Sequence, residues 1–187
     1  MSIQIGKHAP NLPVDVYVRG EHEPRRVALA AYRGCWLVLF FYPRDFTFVC
    51  PTELQSLAEL HAEFEREDAV VLAASTDSFY SHKAWYETDP RLRGASYPVI
   101  ADTAHTLAEA FGVLLEDGTA LRGTFIIDPD GVVRHALVND LSVGRNPEET
   151  LRTLQALRTG ELCPVSWKPG QPTLSGVRRD TGVREAA

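Results

Sequence analysis

Trp36-Leu37-Val38-Leu39-Phe40-Phe41-Tyr42, followed by Pro43-Arg44-Asp45-Phe46-Thr47-Phe48-Val49-Cys50-Pro51, is the stretch that decides the fold. The first run is apolar, aromatic and β-branched, the pattern of a strand buried on both faces. Beyond Cys50, Leu54, Leu57, Ala58, His61 and Phe64 recur at helical spacing. Pro51 fits the first helical position, where its missing N–H costs nothing. Cys50 therefore stands at or beside the N-cap of a helix. The free N–H groups and the positive end of the helix dipole favour a thiolate there, and a thiolate is a nucleophile.

Working outward, Asp15–Arg19 and Arg26–Leu29 read as a hairpin around Gly20-Glu21-His22-Glu23-Pro24. A helix is expected from Cys50 to about Arg66, and a second buried strand over Ala69–Ser75. Asp77 or Ser78 caps a helix carrying Trp85 and Tyr86. Tyr97–Ala101 is a short strand. A helix then runs from Asp102-Thr103 to Phe111-Gly112, with the glycine as its C-terminal stop. Thr124–Ile127 and Val132–Val138 are strands joined by Asp128-Pro129-Asp130-Gly131. Asn146-Pro147-Glu148-Glu149 starts a helix whose Leu151, Leu154 and Leu157 face the core and which Gly160 closes. Strand–helix alternation predicts an α/β fold with a mostly parallel central sheet, made mixed by the terminal hairpin and flanked by helices. Residues 1–160 form one domain. Residues 161–187, rich in proline and glycine and without a period, form a C-terminal arm that is either packed against something or unordered.

The 187 residues suffice for one full core, and 44% hydrophobic with 24% charged residues is ordinary for a globular chain. A net charge of −6 without a basic stripe argues against a nucleic-acid partner. The apolar run 36–42 is far shorter than the roughly 20 residues a membrane span needs. No long apolar leader follows Met1, so the cytoplasm is the expected location. Cys35, Cys50 and Cys163 form no Cys-x-x-Cys pair, and the six histidines are scattered. Neither a thioredoxin-type dithiol nor a metal site is expected. Cys35, just before the central strand, reads as a structural thiol.

Phe40-Phe41-Tyr42-Pro43 with Thr47, Cys50 and Pro51-Thr52-Glu53-Leu54 resembles the peroxidatic-cysteine loop of the peroxiredoxins. Gly160-Glu161-Leu162-Cys163-Pro164 with Trp167-Lys168-Pro169-Gly170 resembles the resolving-cysteine segment of their typical two-cysteine branch, and the bacterial alkyl hydroperoxide reductase C proteins look most similar. The resemblance, which also takes in Leu121-Arg122-Gly123-Thr124-Phe125, implies a thioredoxin-like fold with an N-terminal extension and a thiol peroxidase that needs no cofactor and no metal. Cys50 would attack hydrogen peroxide or an alkyl hydroperoxide and become a sulfenic acid. Cys163 of a partner subunit would condense with it to a disulfide, and thioredoxin or a flavoprotein disulfide reductase would recycle it. Thr47 would accept from the peroxide and donate to the thiolate, where the bland reading is a capping threonine. Pro43 would shield the thiolate, besides ending the strand. Arg122, otherwise a surface residue at a strand start, would favour the thiolate and stabilise the leaving oxygen.

By the same resemblance Glu53 would orient Arg145 near the pocket, against plain readings as a first-turn acid and a solvated loop charge. Trp85 would wall the pocket, against a reading as a core aromatic. A two-fold homodimer is the least assembly an inter-subunit disulfide allows, and the family implies a decamer of five dimers. The chain has Arg93-Gly94-Ala95-Ser96 where inactivation-prone members carry Gly-Gly-Leu-Gly, and no Tyr or Phe beyond Gly170, so resistance to overoxidation is expected. The competing readings are a redox sensor or chaperone-like assembly, a one-cysteine peroxidase with an inert Cys163, and a thioredoxin-like structural domain with incidental cysteines.

Overall fold

The structure is a computed structural model that describes residues 5–175. Residues 176–187 of the arm lie outside the described residues. Seven strands form one sheet: β1 (Pro13–Tyr17), β2 (Arg25–Ala28), β3 (Trp36–Phe41), β4 (Ala69–Ser75), β5 (Val99–Ala101), β6 (Arg122–Ile127) and β7 (Val133–Asn139), in spatial order β2-β1-β5-β4-β3-β6-β7. Among the described residues five α-helices accompany it: α1 (Cys50–Glu59), α2 (His61–Arg66), α3 (Phe79–Thr88), α4 (Thr106–Ala110) and α5 (Pro147–Arg158).

The sheet is mixed, as expected, but less of it is parallel than the strand–helix alternation suggests. Only β3–β4 and β4–β5 pair in parallel, while β1–β2, β1–β5, β3–β6 and β6–β7 are antiparallel. Crossover helices serve only the first two of these pairs, because the hairpin β6–β7 returns to β3 from the other side and the β1–β2 hairpin adds to β5, leaving β2 at the far edge. The N-terminal segment is part of this frame. It bridges the β6–β7 hairpin at His8 and Val132, then reaches β1 beside β5.

Alternation along the central strands divides the core in two, as the pleat requires. Val38 and Phe40 of β3, with Val71 and Ala73 of β4, join Leu54, Leu57, Phe64, Trp85, Tyr86 and Leu154 from α1, α2, α3 and α5. Leu37, Leu39 and Phe41, with Leu72 and Ala74, face Val14, Val16, Leu107, Ala108 and Phe111 on the other side. Cys50 belongs to the first layer.

Two helix boundaries differ from expectation. The helix after Cys50 bends at Leu60 (φ −96°, ψ 0°), splitting into α1 and α2. The helix expected from Asp102 begins at Thr106, because the Asp102 carboxylate reaches forward to accept from the N–H groups of Leu107 (3.0 Å) and Ala108 (2.7 Å). Elsewhere the caps follow the sequence: Ser78 accepts from Ser81 N–H and Asn146 from Glu148 N–H. No helix among the described residues is long and apolar enough to cross a membrane.

Candidate active site

Helix α1 begins at Cys50 itself, so Pro51 takes the second helical position rather than the first. Val49 already has helical angles, and its carbonyl accepts from Thr52 N–H and Glu53 N–H, which draws the first turn tight. Cys50 is fully buried, and its Sγ accepts from Arg122 Nη1 at 3.5 Å. Arg122 opens β6 and is itself buried. Its Nε donates to Leu141 O (2.8 Å) and its Nη1 to Glu53 Oε2 (2.6 Å).

Glu53 stands three residues after Cys50, on the inner face of α1. Its carboxylate also accepts from Arg145 N–H (2.7 Å), Nε (2.9 Å) and Nη2 (3.2 Å). Arg145 Nη1 donates to Gly123 O and Thr124 Oγ1, and its guanidinium lies 3.4 Å from the centroid of the Phe40 ring. Gly123 has no room for a side chain, since a Cβ there would stand 2.8 Å from Val113 Cγ1. The pairing of Glu53 with Arg145 is present as expected, and Glu53 serves Arg122 as well. Burial pushes the Arg145 pKa down, while the hydrogen bonds and charge of Glu53 push it up, Arg122 pushes it down, and the charge on Cys50 pushes it up. An arginine remains charged even so.

The charges in this cluster do not cancel by themselves. Two buried guanidiniums and one carboxylate leave one positive charge, and the anion-forming group in contact with it is the Cys50 sulfur. Charges removed from water are stable only when paired. A thiolate at Cys50 completes the pairing. The arrangement is suited to a nucleophilic sulfur whose attack leaves negative charge on a second atom beside Arg122.

Thr47, Pro43 and Trp85 lie around this cluster in different ways. Pro43 is buried at the end of β3. Thr47 is half-buried, and its hydroxyl donates to Arg44 O at 2.9 Å rather than to the Cys50 sulfur, a correction to the expected donation. The proton satisfies the loop backbone, and the oxygen lone pairs remain to accept. Trp85 is buried in the core, as its plain reading has it, and it also lines a groove with Phe46, Thr47 and Phe48 on the outer side of the loop. Its Nε1 donates to Asp89 Oδ2, and its ring packs at a tilt against Tyr42 and Phe46.

The structure does not bring Cys163 to Cys50. All three cysteines are free thiols. Cys163, five residues beyond α5, is half-buried against the helix's last turn, its Sγ 3.4 Å from Thr159 Oγ1 and 3.7 Å from Ala156 O. The described part of the arm is packed there. Trp167 is buried, its carbonyl accepts from Arg152 Nη1 (2.9 Å), and Leu174 N–H donates to Leu162 O. Cys35 is exposed and precedes β3, so its reading as a buried structural thiol is corrected. The Gly34 turn (φ +93°) places it outside the sheet. Sequence reasoning passed over Asp45 and His82, both buried beside the Cys50 loop. Among the described residues no group of three or more His, Cys, Asp or Glu is arranged to hold a metal.

The model of the AhpC/TSA family matches residues 5–136. The chain belongs to that family. It is 47% identical over 176 residues to the putative peroxiredoxin YkuU of Bacillus subtilis (91% of this chain, 97% of the relative). It is 47% identical over 191 residues to peroxiredoxin prdx-2 of Caenorhabditis elegans (97% and 91%). Among solved structures, the reduced 2-Cys peroxiredoxin of Plasmodium vivax superposes with a TM-score of 0.85 at 33% identity (90% of this chain, 91% of that one). AhpC of Mycobacterium tuberculosis superposes at 0.82 and 35% (90% and 100%). The fold is thus that of the thioredoxin-like peroxiredoxins, and this peroxiredoxin is an oxidoreductase, a thiol-dependent peroxidase.

Proposed function

We propose that this peroxiredoxin reduces hydrogen peroxide and alkyl hydroperoxides through Cys50 and is resolved by Cys163 of a partner subunit. The observation that carries the reading is the buried cluster of Arg122, Glu53 and Arg145, whose one surplus positive charge faces the Cys50 sulfur. The thiolate attacks the nearer peroxide oxygen. The O–O bond breaks, and the leaving oxygen takes its electron pair to water or an alcohol after protonation. Arg122 offsets charge on that oxygen as it forms. Thr47 accepts from the peroxide O–H, and buried Pro43 keeps water from the sulfur.

Cys50 sulfenic acid then condenses with the Cys163 thiol, releasing water and leaving a disulfide. An external dithiol returns two electrons; a thioredoxin or a flavoprotein disulfide reductase has the right chemistry. Two observations support resolution between chains. The Cys163 sulfur packs against the last turn of α5 among partners of its own, and β7 is an edge strand, with Leu137 and Val138 exposed, whose edge a two-fold partner can cover. Five such dimers in a ring are the assembly proposed, in the cytoplasm.

The test is one equivalent of hydrogen peroxide added to reduced protein, read by non-reducing gel and intact mass. A covalent dimer in the wild type that is absent in Cys50→Ser and in Cys163→Ser is expected. A monomer carrying one added oxygen, or an internal disulfide, overturns the resolving step; an unmodified Cys50 overturns the whole reading.

A further inference from the structure

Cys50 is fully buried, so Cys163 can reach it only if the loop and first helical turn around it open. The ends of that opening segment are marked by two buried carboxylates. Glu53 is one. The other is Asp45, which has no contact with Arg122 among the hydrogen bonds it makes. Its Oδ1 accepts from Tyr42 O–H (2.7 Å), and its Oδ2 accepts from Ser81 O–H (2.7 Å) and faces His82 Nδ1 (2.9 Å). His82 is itself fully buried. Its Nε2 faces Ile100 O (3.1 Å), which can only accept, so that nitrogen is the donor there. Asp45 N–H donates to Asp77 Oδ2 (2.9 Å).

The residue after Asp45 explains why such a clamp is needed. Phe46 has φ +55°, the left-handed region that a bulky side chain adopts only when its surroundings hold it there. Its ring is 61% exposed, so little burial holds it. Phe48 beyond it is 91% exposed. The segment between the two carboxylates is thus strained at its start and poorly anchored by packing, while Asp45 fixes one end to Tyr42 just past β3, to α3 and, through His82, to β5, and Glu53 fixes the other to Arg122 and Arg145.

We infer that Asp45, through Tyr42, Ser81 and His82, is a positioning residue for Cys50, and that the clamps at Asp45 and Glu53 confine loop opening to residues 46–52. The inference rests on the proposed cycle only where opening serves resolution; the clamp itself is measurable in the reduced protein. A looser clamp trades folded, peroxide-reactive loop for open, resolvable loop. In the folded loop a second hydrogen peroxide can convert the Cys50 sulfenic acid to sulfinic acid, the peroxide losing one oxygen and leaving as water. Opening competes with that step.

The probe is alkylation of Cys50 by iodoacetamide in a Cys35→Ser/Cys163→Ser background, with amide hydrogen exchange over residues 46–52 alongside. Asp45→Ala should speed alkylation by roughly tenfold to a hundredfold, the range expected when hydrogen bonds to a charged buried group are lost. Asp45→Asn can still accept from Tyr42 and donate to His82, and should restore most of the wild-type rate. Leu107→Ala, a cavity on the opposite face of the sheet, supplies a variant of lowered stability that leaves the loop untouched. Equal acceleration in Asp45→Ala and Leu107→Ala at equal loss of Tm, or an unchanged rate in Asp45→Ala, overturns the inference, as does faster exchange that spreads through β4. Should Asp45→Ala fail to fold, Ser81→Ala removes one of the three side-chain partners and should accelerate alkylation severalfold; no acceleration overturns the inference equally. In the full-cysteine protein, Asp45→Ala should form less sulfinic acid per turnover. Faster alkylation with no disulfide under peroxide would sink the resolving step and leave the clamp standing.

Discussion

Glu53→Gln is the perturbation that most directly tests the charge balance of the site. Glutamine keeps the shape of glutamate, so the change isolates charge and hydrogen-bonding capacity. Glu53 is 3% exposed and accepts four hydrogen bonds, one from Arg122 and three from Arg145. Glutamine offers one acceptor oxygen, and its NH2 must face a guanidinium that can only donate. Two buried cations are then left with no carboxylate between them. Removing one partner of a buried ion pair costs about 3–5 kcal/mol, a large share of the 5–15 kcal/mol or so that holds a typical domain together. The assay is urea denaturation of reduced protein at fixed protomer concentration, with stability taken from midpoint and slope. The double variant Glu53→Leu/Arg145→Leu removes a charge of each sign and should lie closer to wild type than Glu53→Gln does, since well-packed apolar groups often replace a buried pair at little cost. A Glu53→Gln protein within about 1 kcal/mol of wild type would refute the reasoning, because losses that small belong to solvent-exposed pairs.

Two further outcomes follow from the same geometry. Thr47→Val should slow the reaction of Cys50 with peroxide by about a hundredfold, the scale of removing one polar group from a reacting site, while Thr47→Ser keeps the rate; stopped-flow tryptophan fluorescence reads it, and a valine variant as fast as wild type would remove Thr47 from the chemistry. At His135 on β7, burial lowers the imidazole pKa below 6.5, with Glu149 raising it and Arg152 lowering it. The folded state then binds fewer protons than the unfolded chain as pH falls through and below 6.5, so this group makes the protein less stable on acidification, a loss that His135→Gln should lack. An NMR titration midpoint at or above 6.5 would reverse that sign.

What the sequence disclosed depended on whether the information was local. Strand β4 falls on the expected residues 69–75, and β3 stops one residue short of the expected 36–42, because strands buried on both faces read as unbroken apolar runs. The direction of strand pairing was less legible. The hairpin was expected to make the sheet mixed, but nothing in Arg122–Ile127 says which of its strands lies against β3 or in which direction. Cys35 was misread for a related reason: one position separates a thiol outside the sheet from Trp36 inside it.

The site shows the same division. Arg122 and Arg145 stand 69 and 92 positions from Glu53, and no periodicity links them, so their roles entered only through the family resemblance. Asp45 and His82 carried no signal at all, since a buried polar residue and a solvated one look alike in one dimension. Glu53 is different. Cys50, Glu53, Leu54 and Leu57 occupy one helical face at spacings of three and four, and all four are buried. A carboxylate on the core face of an amphipathic helix cannot remain charged without cations brought to it from elsewhere in the chain. A charged Glu53 on that face therefore requires a buried cation beside α1, and the second cation that the fold brings there requires an anion to match. On that face, Cys50 is the residue able to become one.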